Sequence, residues 1–308
     1  MRFSIYQDSQ TGARAINQDR MGYCYTSESL LLLLADGMGG HLQGEVAATL
    51  ALQTMGALFQ ERAEPAIPDP SRLLDDLIFA AHHELHRYRA VNRLPDAPRT
   101  TIVVCLIQHG HAWWAHCGDS RLYWLRKGQI LARTRDHSHV ERLIAQGRLS
   151  PAARLTHPDR NKLFNCIGAP TLPRVDKAAP VTLKPGDQLL LCSDGLWGSV
   201  PEHRLAYQLC TGELAQAVPA MVSAAVVAGG KTGDNVTALA VTWQGEDLAC
   251  ESKTLRTTIL PKGSVVTSIQ AARHADLDGT EPVHAIDTSE IDRAIAEMRN
   301  APAKPEPR

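Results

Sequence analysis

Three apolar runs in this 308-residue chain each meet an aspartate beside a glycine, and that limits what the chain can fold into. Leu30 to Ala35 runs into Asp36-Gly37, and Leu190-Leu191-Cys192-Ser193 runs into Asp194-Gly195. Gly233-Asp234 opens a third run at Asn235-Val236-Thr237. A strand that runs into Asp-Gly must turn there, which leaves the carboxylate at a sheet edge with open backbone around it. Carboxylates gathered this way repel one another and ask for a hard cation. Oxygen-only ligation suits Mg²⁺ or Mn²⁺ rather than zinc. The pattern implies a two-metal hydrolase, with a phosphate ester as the substrate chemistry.

Strand-like segments dominate the rest of the chain, at 3–7, 21–25, 30–35, 101–108, 112–117, 121–125, 129–132, 188–192 and 236–243. Lys127-Gly128 reads as a hairpin turn, and Pro185-Gly186-Asp187 as another. Two long helical patterns fall between the third and fourth strands. One covers 44–61 with Val46, Leu50 and Leu58 on one side; the other opens at Asp69-Pro70 and carries Leu73, Leu74, Leu77, Ile78, Ala81, Leu85 and Tyr88. Further helices are expected at 140–146, 202–210 and 214–228. Helices paired between runs of strands imply antiparallel sheets flanked by helices, while a strict β-α-β-α alternation is missing.

Composition removes several functional classes. A net charge of −1 argues against a nucleic-acid surface. The apolar run at 30–35 is far too short to span a bilayer, and the first eight residues lack the apolar stretch of a secretory signal. Seven cysteines, an odd number with no Cys-x-x-Cys, read as reduced buried thiols of a cytoplasmic protein. A shift in composition after Trp243 divides the chain into residues 1–244, a catalytic domain, and 245–308, a C-terminal extension that is partly disordered. Within the extension a short helix is expected at 288–300, where Asp287 and Glu290 form a capping-box-like pair ahead of Ile291, Ile295 and Met298.

Taken together and in order, seven segments resemble the metal-dependent (type 2C, or PPM) serine/threonine protein phosphatases of the bacterial type. They are Arg14 with Asn17-Gln18-Asp19; Ala35-Asp36-Gly37-Met38-Gly39-Gly40-His41; Cys117-Gly118-Asp119-Ser120-Arg121; Thr134-Arg135-Asp136-His137-Ser138; His157-Pro158-Asp159-Arg160-Asn161; Ser193-Asp194-Gly195-Leu196-Trp197; and Gly233-Asp234-Asn235-Val236-Thr237. The resemblance runs from about Phe3 to Trp243. It implies an α+β fold, a four-layer α-β-β-α sandwich of two antiparallel sheets flanked by helices. It also implies hydrolysis of phosphoserine and phosphothreonine in proteins by a metal-activated water, opposite a cognate serine/threonine kinase.

The resemblance assigns roles residue by residue. Asp36 would bridge two Mn²⁺ or Mg²⁺ ions, Gly37 would offer its backbone carbonyl to the second, and Asp194 and Asp234 would complete the first ion's shell. Arg14 would grip substrate phosphate, for which a planar guanidinium suits better than an ammonium. Asp19 would stand behind the ligands as an anchor, with Gln18 where an acidic residue is common. Asp119 matches a position that, with Asp194, would hold a third, weaker ion; alternatively it caps the turn from Gly118 to Arg121. Met38 stands where animal and plant members have a histidine general acid, and His41 reads as a turn or supporting residue.

Other signals have two readings. The stretch from Asp136 to Gly168, with Arg142, Arg148, Arg154, Arg160 and Lys162, resembles the family's flap; it is either a basic lip on the cleft or an ordinary solvated surface. His82 and His86 could bind zinc but suit a polar helix face better. His109 with His111 reads as a turn, and His137 with His139 as the flap entry. The tryptophans Trp113, Trp114, Trp124, Trp197 and Trp243 read as core. A phosphatase-shaped binding module without turnover is the competing function, and it would lack the aspartates that this chain keeps.

Overall fold

The computed structural model describes residues 1–38, 43–63, 66–246, 255–256, 266–268 and 288–300. His41 and the far C-terminal stretch at 301–308 therefore lie outside the described residues. The first sheet contains β1 (Arg2–Gln10), β6 (Arg121–Arg126), β7 (Gln129–Arg133), β10 (Gln188–Cys192), β11 (Val236–Gly245) and the two-residue β12 (Leu255–Arg256). Their order across the sheet is β12-β1-β11-β10-β6-β7. The second sheet contains β2 (Asp19–Tyr25), β3 (Ser29–Asp36), β4 (Ile102–Gln108), β5 (His111–Cys117), β8 (Asp176–Lys177), β9 (Val181–Thr182) and β13 (Val266–Thr267). It runs β13-β2-β3-β4-β5-β8, with β9 also pairing with β5. Among the described residues every ladder is antiparallel.

Helices α1 (Gly44–Arg62) and α2 (Pro70–Val91) cover the second sheet, and α4 (Asp194–Trp197), α5 (Glu202–Thr211) and α6 (Leu214–Gly229) cover the first. The expected α-β-β-α sandwich is the fold. Its three packed seams explain the unbroken apolar strands. In β3, Leu31, Leu33 and Ala35 face α1 and α2, while Leu30, Leu32 and Leu34 face the opposite sheet. A strand buried on both faces has no polar side to alternate with. The same division holds in β10, where Leu189 and Leu191 enter the central seam and Leu190 and Cys192 pack on α4–α6.

Local chemistry sets the helix ends. Asp69 accepts a hydrogen bond from Arg72 N at 2.9 Å, and Pro70 follows at the first helical position, as that dipeptide predicts. The C-terminal helix α7 (Thr288–Asn300) docks on the outer helix layer, with Ile291 and Ile295 buried in the α1/α2 core. Arg62 pairs with Asp292, and Arg62 and Arg299 both pair with the buried Asp76. These ion pairs line a cavity of about 520 Å³ at the α7 seam, with Arg72 also on its wall.

Candidate active site

The β2–β3 ladder places Asp19 directly opposite Asp36. Like charges at facing positions destabilise a sheet, so this register requires compensation. Asp36 closes β3, Asp194 opens the single-turn α4, Asp234 precedes β11, and Asp119 sits in the turn between β5 and β6. The topology brings these four chain segments to one end of the sandwich. Asp36 feels the charges of Asp19, Asp194, Asp119 and Asp234 at once, and with burial as the larger cause its carboxyl is pushed well above the usual range. Asp194 is pushed up likewise, by burial first, then by Asp119, Asp234 and Asp19. Burial with neighbouring acids raises Asp119 to about 7 and Asp19 to about 6.

Hydrogen bonds fix the segments that carry these groups. Asp36 N donates to Thr101 Oγ1 at 3.1 Å, and Asp36 O accepts from Thr101 N at 2.9 Å and Thr100 Oγ1 at 2.8 Å. Thr101 Oγ1 meets Ser120 Oγ at 2.7 Å, which joins the Asp36 strand end to the Asp119 turn. Ser193 Oγ donates to Asp19 Oδ2 at 2.7 Å and accepts from Thr237 N at 3.1 Å. Asn235 pins the loop that carries Arg14: its Nδ2 donates to Thr11 O and Ile16 O, and its Oδ1 accepts from Gln18 N. Gln18 also donates through Nε2 to Glu45 Oε2 at 3.0 Å. Gly37 has no room for a side chain, since a Cβ would overlap the Gly44 carbonyl at the start of α1. Gly195 is constrained in the same way by the Asn235 carbonyl.

Arg14 Nη2 and Asp234 Oδ2 form a 2.7 Å ion pair at the mouth of the cleft. The cleft, of about 540 Å³, is lined by Arg14, Asp119, Arg160, Asp194, Trp197 and Asp234 among others. Within the flap, α3 (His139–Ala145) is capped by Ser138, whose Oγ accepts from Glu141 N at 3.2 Å. Arg154 pairs with the buried Glu141. Of the basic residues that suggested a lip, Arg154 and Arg160 line the cleft.

The residues fit a hard-cation centre. The donor set is all oxygen, the carboxylates repel one another, and the buried Oδ1 of Asp19 has no hydrogen-bond donor among the described residues. Among the described residues, a different set, His116, His137 and Asp176, draws one ligand atom each within 4.8 Å of one another. Its hydrogen bonding is only partly met, since His116 Nδ1 and His137 Nε2 are buried without a hydrogen-bond partner among the described residues. His137 Nδ1 accepts from Gly118 N at 3.2 Å and from Asn165 Nδ2 at 2.6 Å, so the ring proton sits on Nε2, which lies 3.1 Å from Asp176 Oδ2 without hydrogen-bond alignment to it. His116 Nε2 donates to Arg135 O at 2.7 Å. This buried cluster ties the flap to the sheet.

Some roles differ from the sequence expectation. Trp197 packs against the core under α4–α6 and also lines the cleft: Arg121 lies over its ring and its indole N–H bonds Asp119 O. His82 and His86 do more than decorate a polar face. His82 is buried and its Nδ1 accepts from Gly168 N at 3.1 Å, while His86 Nε2 lies 2.9 Å from Ala169 O, so the pair clamps the end of the flap. The indole and imidazole roles depend on partners distant in sequence. Only the i,i+3 spacing of Asp194 and Trp197 within one helical turn could have hinted at the first.

Comparison with known proteins agrees with this geometry. The family model described as protein phosphatase 2C matches residues 7–217. Over 228 residues the chain is 32% identical to "Serine/threonine protein phosphatase PstP" of Mycobacterium tuberculosis, covering 73% of this chain and 41% of that protein. It thus spans less than half the length of the mycobacterial relative. It is 30% identical over 228 residues to "Serine/threonine phosphatase stp" of Listeria monocytogenes, covering 73% of this chain and 89% of that one. The crystal structure of serine/threonine phosphatase Stp1 from Staphylococcus aureus superposes with a TM-score of 0.72 at 30% identity, over 79% of this chain and 96% of that one. The catalytic domain of PstP solved with two manganese ions superposes with a TM-score of 0.66 at 28% identity, over 78% and 98%.

Proposed function

Because the chain belongs to the protein phosphatase 2C family, we propose that it is a metal-dependent protein serine/threonine phosphatase that hydrolyses phosphoserine and phosphothreonine esters. The observation that carries the reading is the convergence of Asp36, Asp119, Asp194 and Asp234 at one end of the sandwich, where Asp36 feels the charges of the other three and Asp194 those of Asp119 and Asp234. Asp36, Asp194, Asp234 and the Gly37 carbonyl would hold two Mn²⁺ or Mg²⁺ ions, and Asp119 with Asp194 a third. When bound, the ions supply Lewis-acid activation of water and of the phosphoryl oxygens.

The chain's own residues do the rest. Asp19 and Ser193 brace the cluster from behind through their 2.7 Å hydrogen bond. Arg14, kept at the cleft mouth by Asp234, presents a fork that matches two phosphate oxygens. Asp234 Oδ2 is held by that guanidinium and would also be a ligand of the cation, which would leave Arg14 available for the phosphate. Met38 carries no titrating proton and so cannot itself protonate the leaving group.

We assign residues 1–244 to the catalytic domain and 245–308 to an extension whose helix returns to α1 and α2. The physiological setting we propose is cytoplasmic, opposite a serine/threonine kinase. The segment Leu214–Thr232 is long and apolar enough to cross a membrane by composition, but Leu214, Val218, Met221, Val222 and Ala225 of α6 pack on the first sheet, which supports a core helix. A metal-titrated assay on phosphoserine, phosphothreonine and phosphotyrosine peptides tests the function. Turnover of the first two should require Mn²⁺ or Mg²⁺ and vanish in Asp36→Asn. Full turnover in excess EDTA would reject the proposal.

A further inference from the structure

Arg121 and Trp197 join the turn that carries Asp119 to the helix that carries Asp194, and neither takes part in the chemistry above. Arg121 is only 2% exposed. Its guanidinium forks onto Asp136, Nε to Oδ1 at 2.8 Å and Nη2 to Oδ2 at 2.7 Å, and donates through Nη1 to Tyr123 Oη at 2.9 Å and Glu202 Oε1 at 3.2 Å. Held this way, the guanidinium lies over the Trp197 ring, with Cζ 3.6 Å from its centroid. The far end of the same indole donates from Nε1 to the Asp119 carbonyl at 3.0 Å. Trp197 is the last residue of α4, and Asp194 is the first. A continuous bracket therefore runs from Asp136 through Arg121 and Trp197 to Asp119.

The bracket opposes a specific force. Asp119 is the foremost of the charges that repel Asp194. Without a tie, that repulsion would drive the turn and α4 apart, and a cation shared by the two carboxylates would have to draw them back. We propose that Trp197, held by Arg121, is a positioning residue that sets the separation of Asp119 and Asp194 and thereby the affinity of the cleft for the divalent cation these two carboxylates share. The proposal rests on the metal-centre reading given above. Tryptophan suits the role because it combines an apolar face for the guanidinium with an N–H donor at its far end. Phenylalanine keeps the face and loses the donor.

Calorimetric titration with Mn²⁺ tests this, on the unmodified protein, Trp197→Phe, Asp119→Asn, the double variant and Asp36→Asn. Urea unfolding in EDTA establishes that each is folded, and Arg121→Lys gives a second route to the same loss. Trp197→Phe should weaken the Mn²⁺ binding that Asp119→Asn removes by about twofold to tenfold, the effect of one lost hydrogen bond. It should have no further effect in the Asp119→Asn background, as a double-mutant cycle requires of coupled groups. An unchanged isotherm in Trp197→Phe, an equal effect with Asp119 already replaced, or an Asp119→Asn isotherm like the parent's would overturn the proposal. Failure of the unmodified protein to bind Mn²⁺, or normal binding by Asp36→Asn, would instead overturn the metal-centre reading on which it rests.

Discussion

Replacing Asp119 with Asn should stabilise the metal-free protein, although it removes a candidate cation ligand. Burial is the largest cause of the rise of the Asp119 carboxyl from 3.8 to about 7, with repulsion from Asp136 and Asp234 added and Arg121 opposing. A folded-state value above the unfolded one means that the folded protein holds this proton longer. The stability it contributes is therefore complete below about pH 3.8 and is lost as pH rises through about 7. At about 1.36 kcal/mol per pH unit, the penalty reaches about 4 kcal/mol by pH 8 and is about 2 kcal/mol at pH 5. Asparagine keeps the size without the charge. The variant should gain up to about 4 kcal/mol over the parent at pH 8, and the gap should narrow by about 2 to 3 kcal/mol at pH 5. Urea unfolding in EDTA at the two pH values measures both. Burial lowers His82 to about 3 and His137 to about 4, so both act in the opposite sense below pH 6.5 and the difference between the two proteins is the informative quantity. A variant less stable than its parent at pH 8, or a gap that does not change with pH, would refute the reasoning.

Arg14→Lys should raise KM for a phosphothreonine peptide about tenfold through loss of the fork, with a smaller change in kcat; steady-state kinetics at saturating Mn²⁺ would reveal an equal loss in both, which contradicts a binding role. His82 is neutral in the fold, its value lowered from 6.5 to about 3 by burial first and then by His86 and His83, so its contribution is present above pH 6.5 and is lost as pH falls, about 2 kcal/mol of it by pH 5. His82→Asn should flatten the acid limb of urea stability measured between pH 6.5 and 5, and an unchanged limb argues against the flap clamp. Ending the chain after residue 287 should cost about 2 to 4 kcal/mol, because Ile291 and Ile295 lose their seat on α1 and α2. Mn²⁺ binding should survive that truncation, and an unaltered urea midpoint would mean that α7 does not dock.

Much of the fold was legible because its elements are long and regular. The apolar stretch in β3 reads as a buried strand since both faces meet core, and Asp69-Pro70 announces α2 by a local mechanism. The two-residue strands β8, β9, β12 and β13 carry no periodicity and exist only through the edges they pair with. At the site, the aspartates could be named because Asp-Gly steps at strand ends are local features. The groups that hold them could not. Arg121 belongs to a recognisable segment, but its fork onto Asp136 and its stack on Trp197 depend on side chains brought together from separate strands and helices. His82 meets Gly168 across 86 positions, so the i,i+4 histidine pair gave a surface face where tertiary packing made a buried clamp.

The most direct test of the central claim is the location of manganese by anomalous diffraction from crystals grown with Mn²⁺. Two peaks about 4 Å apart, one within bonding reach of Asp36, Asp194 and Asp234 and the other reached by Asp36 and the Gly37 carbonyl, are the expected result, with a further, weaker peak between Asp119 and Asp194. Manganese bound at His116, His137 and Asp176 with none beside Asp36 would contradict the account.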